Sequence, residues 1–224
     1  MKKLSVMALA ASLFIVSCKE STTDTATTAT EQLAAAHQGE TFAINTDSTV
    51  VKWTAYHKGG LNPRFGIMKT TGTLSADNGN LTAGNLKSEV STLVTDPAAV
   101  DPSITDGKTS ADLDAHLKSA DFFDAEKYPE VKFEITKVTD LAPGTETKTA
   151  GANKTLSGNL TIKDKKVNVT FPAKVEVTDK QISLFSKFTI NRQDWGLAYG
   201  AEGDPKDWMI SQEIDLELHV VANK

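Results

Sequence analysis

Arg192 and Asp194 flank a sharp polar interruption beside Trp195-Gly196. A guanidinium at such a place suits an anionic oxygen of a bound head group, because its planar fork of donors matches one. The alternative, which we favour, is a structural Arg-Asp pair with Trp195 plugging one end of the fold. Two more polar residues fall among apolar ones. Ser186 is in phase with Leu184 and Phe188, and Gln212 lies between Ile210 and Ile214. An unpaired buried amide costs about 1–3 kcal/mol, so Gln212 meets either a ligand head group or a neighbouring strand or water. The sequence leaves that choice open. His116 and Asp112, four apart, share a helical face, but two groups are too few for a metal site. His116, beside Leu113 and Leu117, reads as a packed histidine bonded to the backbone. No Ser-His-Asp spacing, paired catalytic carboxylates or phosphate-cradling glycine loop stands out. The expectation is therefore no catalytic residue, no metal and no cofactor.

Cys18 is the chain's single cysteine, so the mature fold holds no internal disulfide, zinc-thiolate cluster or cysteine nucleophile. Before it come Lys2 and Lys3, then a mostly apolar run from Met7 to Val16, too short to span a bilayer, which needs about 20 residues. The run reads as a secretory leader over residues 1–17. Ser17-Cys18 at its end resembles a bacterial lipobox, which implies that Cys18 becomes the first mature residue and carries acyl chains. Several chains together anchor strongly, at about 0.8 kcal/mol for each buried methylene. The expected location is the cell envelope, on the periplasmic face or the outer surface of a bacterial membrane. A formal net charge of −5 with no basic run gives nothing to neutralise phosphates, so nucleic acid is excluded as a partner.

These residues need elements to position them. Residues 18–40 carry Thr, Ala, Ser and Glu with hardly a large apolar side chain, and read as a flexible tether. The folded domain is expected over residues 41–224. Its dominant signal is alternation of apolar and polar residues, the period of half-buried strands. Val167, Val169, Phe171, Ala173, Val175 and Val177 form the clearest run. Similar runs begin at Val51, Val131, Leu156, Ile182 and Ile210. Asn78-Gly79 predicts a hairpin turn, and short polar links after Ile162 and Val177 favour antiparallel neighbours. One stretch breaks the period: Thr109 to Lys118 predicts a short helix inside a long connection. The sum is an all-β fold, an antiparallel barrel of about eight strands with one short helix, since a sheet with that many strands hides its edges by closing.

A barrel of that size is either filled by its own side chains or holds one small ligand. The inward phase selects Trp53, Val131, Phe133, Ile135, Val169, Phe171, Leu184, Phe188, Ile214 and Leu216 as lining. The same residues point inward in a barrel packed solid, so periodicity does not separate a lipid carrier from a non-catalytic scaffold with a filled core.

Three stretches carry a resemblance. The first is Leu113-Asp114-Ala115-His116-Leu117-Lys118-Ser119-Ala120-Asp121-Phe122-Phe123-Asp124, followed by Lys127-Tyr128-Pro129 and Phe133. The second runs from Leu156 to Lys163, and the third from Phe188 to Gly196. In order and separation they resemble the YceI-like family. That resemblance implies a lipocalin-like barrel with an elongated apolar interior. It also implies binding of a long-chain guest, an isoprenoid quinone, a polyisoprenoid or a fatty amide, in the periplasm or outside it. It transfers no catalytic residue. The lipobox and tether would make this chain a lipoprotein member, with a membrane as partner through its anchor. A second copy of the chain (a homodimer) stays open as a further partner.

Overall fold

The computed structural model describes residues 22–201 and 210–224. Cys18 and the leader lie outside the described residues. Two short strands, β1 (Asp24–Thr25) and β2 (Thr27–Ala29), precede the main wall. β3 (Glu40–Ile44) and β4 (Val50–His57) form one stave interrupted at 45–49, and β5 (Leu61–Met68) and β6 (Thr70–Asp77) form the next. β7 (Asn80–Glu89) follows through the Asn78-Gly79 turn, where φ is 49° and 75°. Positive φ at both turn positions matches the twist of the flanking strands, which is why Asn-Gly sits there. A two-residue strand, β8 (Val94–Thr95), pairs with β5 outside the main circuit. Then come β9 (Glu130–Asp140), β10 (Lys154–Ile162), β11 (Lys165–Val177), β12 (Gln181–Asn191) and β13 (Ile210–Asn223).

Each stave pairs antiparallel with the next, and β13 closes the circuit by pairing with β12 on one side and with β3 and β4 on the other. The described residues thus form a closed antiparallel barrel of eight staves. One end is packed solid by Phe42, Leu74, Leu156, Ile182 and Ala222, all at 1% exposure or less. At the other end lies α1 (Ser110–Lys118), where the sequence predicts it. Asp112 accepts hydrogen bonds from the N–H and hydroxyl of Thr109 at 2.8 Å, satisfying groups at the helix start.

The tether expectation is corrected over residues 22–40. The ladder between β11 and β12 covers only Lys174–Val177 and stops short of Pro172. The carbonyl of Pro172 faces β12, where the Ser186 hydroxyl donates to it at 2.7 Å. In a strand, a residue's N–H and C=O point the same way, so the donor that proline lacks is missing on the β12 side. The two strands part beyond it, and the N-terminal segment fills the slot. β1 runs parallel to β12 at Phe188 and Thr189, while β2 runs antiparallel to β11 at Asn168–Thr170. The chain then crosses outside β10 and β9, with Gln32 bonded to Asn159 and the Ala35 N–H donating to Ile135 at 2.9 Å. Asp24 fastens the start of this strap. Its carboxylate accepts from the Thr147 and Thr149 hydroxyls and from the backbone N–H groups of Lys148 and Thr149, at 2.7–3.0 Å. Small polar side chains suffice here because backbone groups do the pairing.

Candidate ligand-binding cavity

The alternation that builds β13 turns Ile214, Leu216, Leu218, Val220 and Ala222 inward. Val220 and Ala222 are buried, whereas Leu216 and Leu218 are only half-buried although they face the inside of a closed wall. The surface they leave uncovered faces a hollow. Phe133 on β9 is in the same position. The hollow has a volume of about 200 Å³, and its lining is almost wholly apolar. An apolar cavity on the order of 150 Å³ stays dry and accepts apolar guests, because water there finds no partners.

Of the expected lining residues, Trp53, Val131, Phe133, Val169, Phe171, Phe188, Ile214 and Leu216 face this cavity. Phe171 and Phe188 stack at 4.0 Å between ring centroids, and Phe133 lies 5.9 Å from Phe171. Ile135 and Leu184 do not line it. Their inward phase is right, but they sit deeper along the barrel axis, packed in the closed end. Ser186 is corrected in the same way: it is fully buried, and its hydroxyl is spent on Pro172 rather than on the cavity.

Gln212 is exposed, not inward. β13 advances four residues, from Ile210 to Ile214, where β4 advances two, from His57 to Ala55. That bulge keeps Ile210 and Ile214 on the cavity and throws Gln212 outside, where it accepts from Asn191 at 3.3 Å.

Arg192 borders the cavity and is 3% exposed. Its described acceptors are three backbone carbonyls: Ser211 at 3.0 Å, Ile210 at 3.3 Å and Leu197. Burial lowers its pKa from the ordinary arginine value. The favoured Arg-Asp pair is thus replaced by a carbonyl cradle, in which the guanidinium ties the stretch after β12 to the start of β13. Trp195 is buried, with its Nε1–H donating to Leu160 at 2.8 Å. His116 bonds the Asp121 carboxylate at 3.0 Å, not the backbone, and packs edge-on against Phe122 and Tyr199.

Several lining residues are missing from the sequence reading: Met68, Leu86, Leu93, Phe123, Leu160 and Leu218. Leu160 and Leu218 belong to alternating runs and were within reach of the period-two argument. Leu93 and Phe123 lie outside the main staves, where no period points anywhere.

Gly158 holds the shape of this lining. A Cβ there would meet the Phe133 ring at 2.2–2.9 Å, so the ring rests on bare backbone. Gly158→Ala is expected to drive Phe133 into the hollow, lowering stability by about 1–3 kcal/mol as overpacking does and reducing uptake of an apolar probe. Calorimetric melting and probe titration check this; an unchanged melt would show that the ring has room to move aside.

A sequence pattern described as the YceI-like domain matches residues 42–222. No curated protein sequence matches the chain. Among solved structures, BcnA of Burkholderia cenocepacia is similar, with 18% identity and a TM-score of 0.58 over 80% of this chain and 99% of that one. A polyisoprenoid-binding domain from Saccharophagus degradans, implicated in plant cell wall breakdown, has 9% identity and a TM-score of 0.57, covering 81% of this chain and 97% of that one. At these identities the likeness establishes the shared fold.

Proposed function

This chain belongs to the YceI-like domain family, and from that premise we propose that its barrel holds one long apolar molecule, without chemistry, at a bacterial membrane. The observation that carries this reading is the uncovered apolar surface of Phe133, Leu216 and Leu218 inside a closed wall. Residues whose only role was to fill a core would be covered. Binding in such a site is mostly desolvation. An isoprene unit adds five carbons and contributes up to roughly 3–4 kcal/mol when buried, offset by the freedom a flexible chain gives up. The description of the Saccharophagus degradans relative as polyisoprenoid-binding favours an isoprenoid among the guests of this shape. A lipid on Cys18 would keep the barrel beside the bilayer from which such guests come. The support for that anchor is the lipobox-like sequence.

The test is mass spectrometry of lipid extracted from natively purified protein, for the unaltered chain and for Cys18→Ser. About one long-chain lipid per chain is expected from both, with the unaltered protein in the membrane fraction and C18S released from it. A barrel that yields no lipid would favour the scaffold reading. A C18S chain that stays with the membrane would remove the anchor.

A further inference from the structure

Of the five exposed large apolar side chains among the described residues, three lie on β5 and its partner β8. Ile67 on β5 is 39% exposed, and Val94, directly opposite it on β8, is 49% exposed. Leu61, 64% exposed, begins β5. Ile67 points outward because Met68, the next residue, lines the cavity. Phe65 shares the outward phase and is half-buried. Single exposed apolar residues are ordinary, but a directly paired couple continued along its strand is a patch.

The described chain also starts on this wall. The Thr23 hydroxyl lies 2.5 Å from that of Thr189 on β12 and donates to Asp215 on β13 at 3.1 Å. Asp215 pairs with Thr54 of β4, and Thr54 pairs with Phe65 of β5. Phe65 is therefore two strand spacings, roughly 10 Å, from the place where Thr23 is held. Cys18 precedes Thr23 by five residues, a reach of at most about 18 Å. A tether running free to residue 40 would reach roughly 75 Å. The strap uses up that slack.

We propose that the outer wall running from β12 across β13 and β4 to β5 and β8 rests on a bilayer surface, with Leu61, Ile67 and Val94 entering the head-group layer. This rests on the reading of Cys18 as a lipid anchor, and adds which side of the barrel the anchor holds down. The acyl chains supply the affinity and the patch supplies the orientation. A bilayer takes apolar side chains one by one, whereas a stable protein interface buries roughly 1,000 Å² or more around packed anchors. The carboxylates at the centre of the wall do not oppose the approach. Glu217 is paired with Lys52 and Lys187, and Asp215 accepts from Thr23, Thr189 and Tyr56. Tyr56, Lys52 and Lys69 are of the kinds that settle at an interface, stem in the apolar layer and polar tip among the head groups. The far side of the barrel is different. There the strap crosses β10 and β9, and Leu33 stands 93% exposed between Gln32, bonded to Asn159, and Ala35, bonded to Ile135.

The experiment uses the full chain carrying one added cysteine, since an acylated Cys18 does not react with a thiol label. Ile67→Cys and Val94→Cys report on the wall, Leu33→Cys and Lys137→Cys on the far side. Each carries an environment-sensitive fluorophore and is placed in vesicles of phosphatidylethanolamine and phosphatidylglycerol, part of the lipid bearing a nitroxide high on its acyl chains. Quenching is expected to be at least about threefold greater at positions 67 and 94 than at 33 and 137, with the emission shifted to the blue. Equal quenching at all four positions, or the larger effect at 33 and 137, overturns the orientation and leaves the anchor standing. The same labels are read on the C18S chain without vesicles over a range of protein concentrations. A blue shift at 67 and 94 that grows with concentration there would assign the patch to a second copy of the chain and overturn the proposal. If the Cys18 chain carries no acyl group and stays free of vesicles, the anchor reading fails and takes this one with it.

Discussion

Removing residues 22–36 is expected to lower the melting temperature by about 10–15 °C, the equivalent of roughly 3–5 kcal/mol in a domain of this size. The segment supplies the pairing that β11 and β12 do not give each other beyond Pro172. Without it, backbone groups at Asn168–Thr170 and at Phe188–Thr189 face an open slot, and Val169 and Phe188, both cavity-lining, lose their outer cover. Hydrogen exchange should quicken along those two edges and not in β3 or β6 at the packed end. Asp24→Ala isolates the fastening, with an expected loss of about 2 kcal/mol for a carboxylate that accepts from two backbone N–H groups and two hydroxyls. The pH dependence follows with a definite sign. Burial alone would raise the Asp24 pKa, but the hydrogen bonds from Thr147, Lys148 and Thr149 outweigh it and hold the folded value below the ordinary 3.8. A depressed carboxylate contributes its stability above the unfolded pKa and loses it as pH falls through the folded one. The gap in melting temperature between the unaltered chain and D24A should therefore be constant from pH 7 to about 5 and close below about pH 4. A gap that persists unchanged to pH 2, or no gap at all, would show that Asp24 does not fasten the strap.

That strap marks the limit of what alternation can show. Period two is a statement about side chains, and it located the staves β10 to β13 well because their apolar residues face one way. Residues 22–36 have almost no apolar side chains, so an argument from hydrophobic burial sees only a tether. Their role lies in backbone donors and acceptors, which every sequence has. The one legible signal was Pro172 inside the strongest run, a residue that cannot donate to a neighbouring strand and so demands an edge or a gap. Phase also says nothing about depth. Ile135 and Leu184 point inward as the pattern requires, but lie at the packed end, whereas Phe133 and Leu216, with the same phase, face the hollow. The inward placement of Gln212 failed for a third reason: a bulge between Ile210 and Ile214 turns it out to bond the neighbouring strand, and bulges leave no reliable trace in composition.

Depth along the barrel separates stability from binding, and two substitutions should show it. Leu216→Trp places an indole into the hollow from the middle of β13, opposite Trp53 on one side and Phe188 on the other. Because it enters vacant space, it should not meet the strain of overpacking, and the melting temperature should stay within about 3 °C or rise. The co-purified lipid should fall at least tenfold, since the added ring and a guest chain compete for the same 200 Å³. Leu184→Ala is the mirror experiment. Leu184 is 6% exposed within the packed end, so truncation leaves a void there, lowers stability by about 2–4 kcal/mol, and leaves the lipid load unchanged. Both residues are leucines on inward phases of adjacent strands, so composition and periodicity alone predict the same outcome for each. If L216W keeps its lipid, the guest does not occupy this hollow. If L184A loses lipid in proportion to stability, the two ends of the barrel are not independent, and the division into a packed half and a receiving half is wrong.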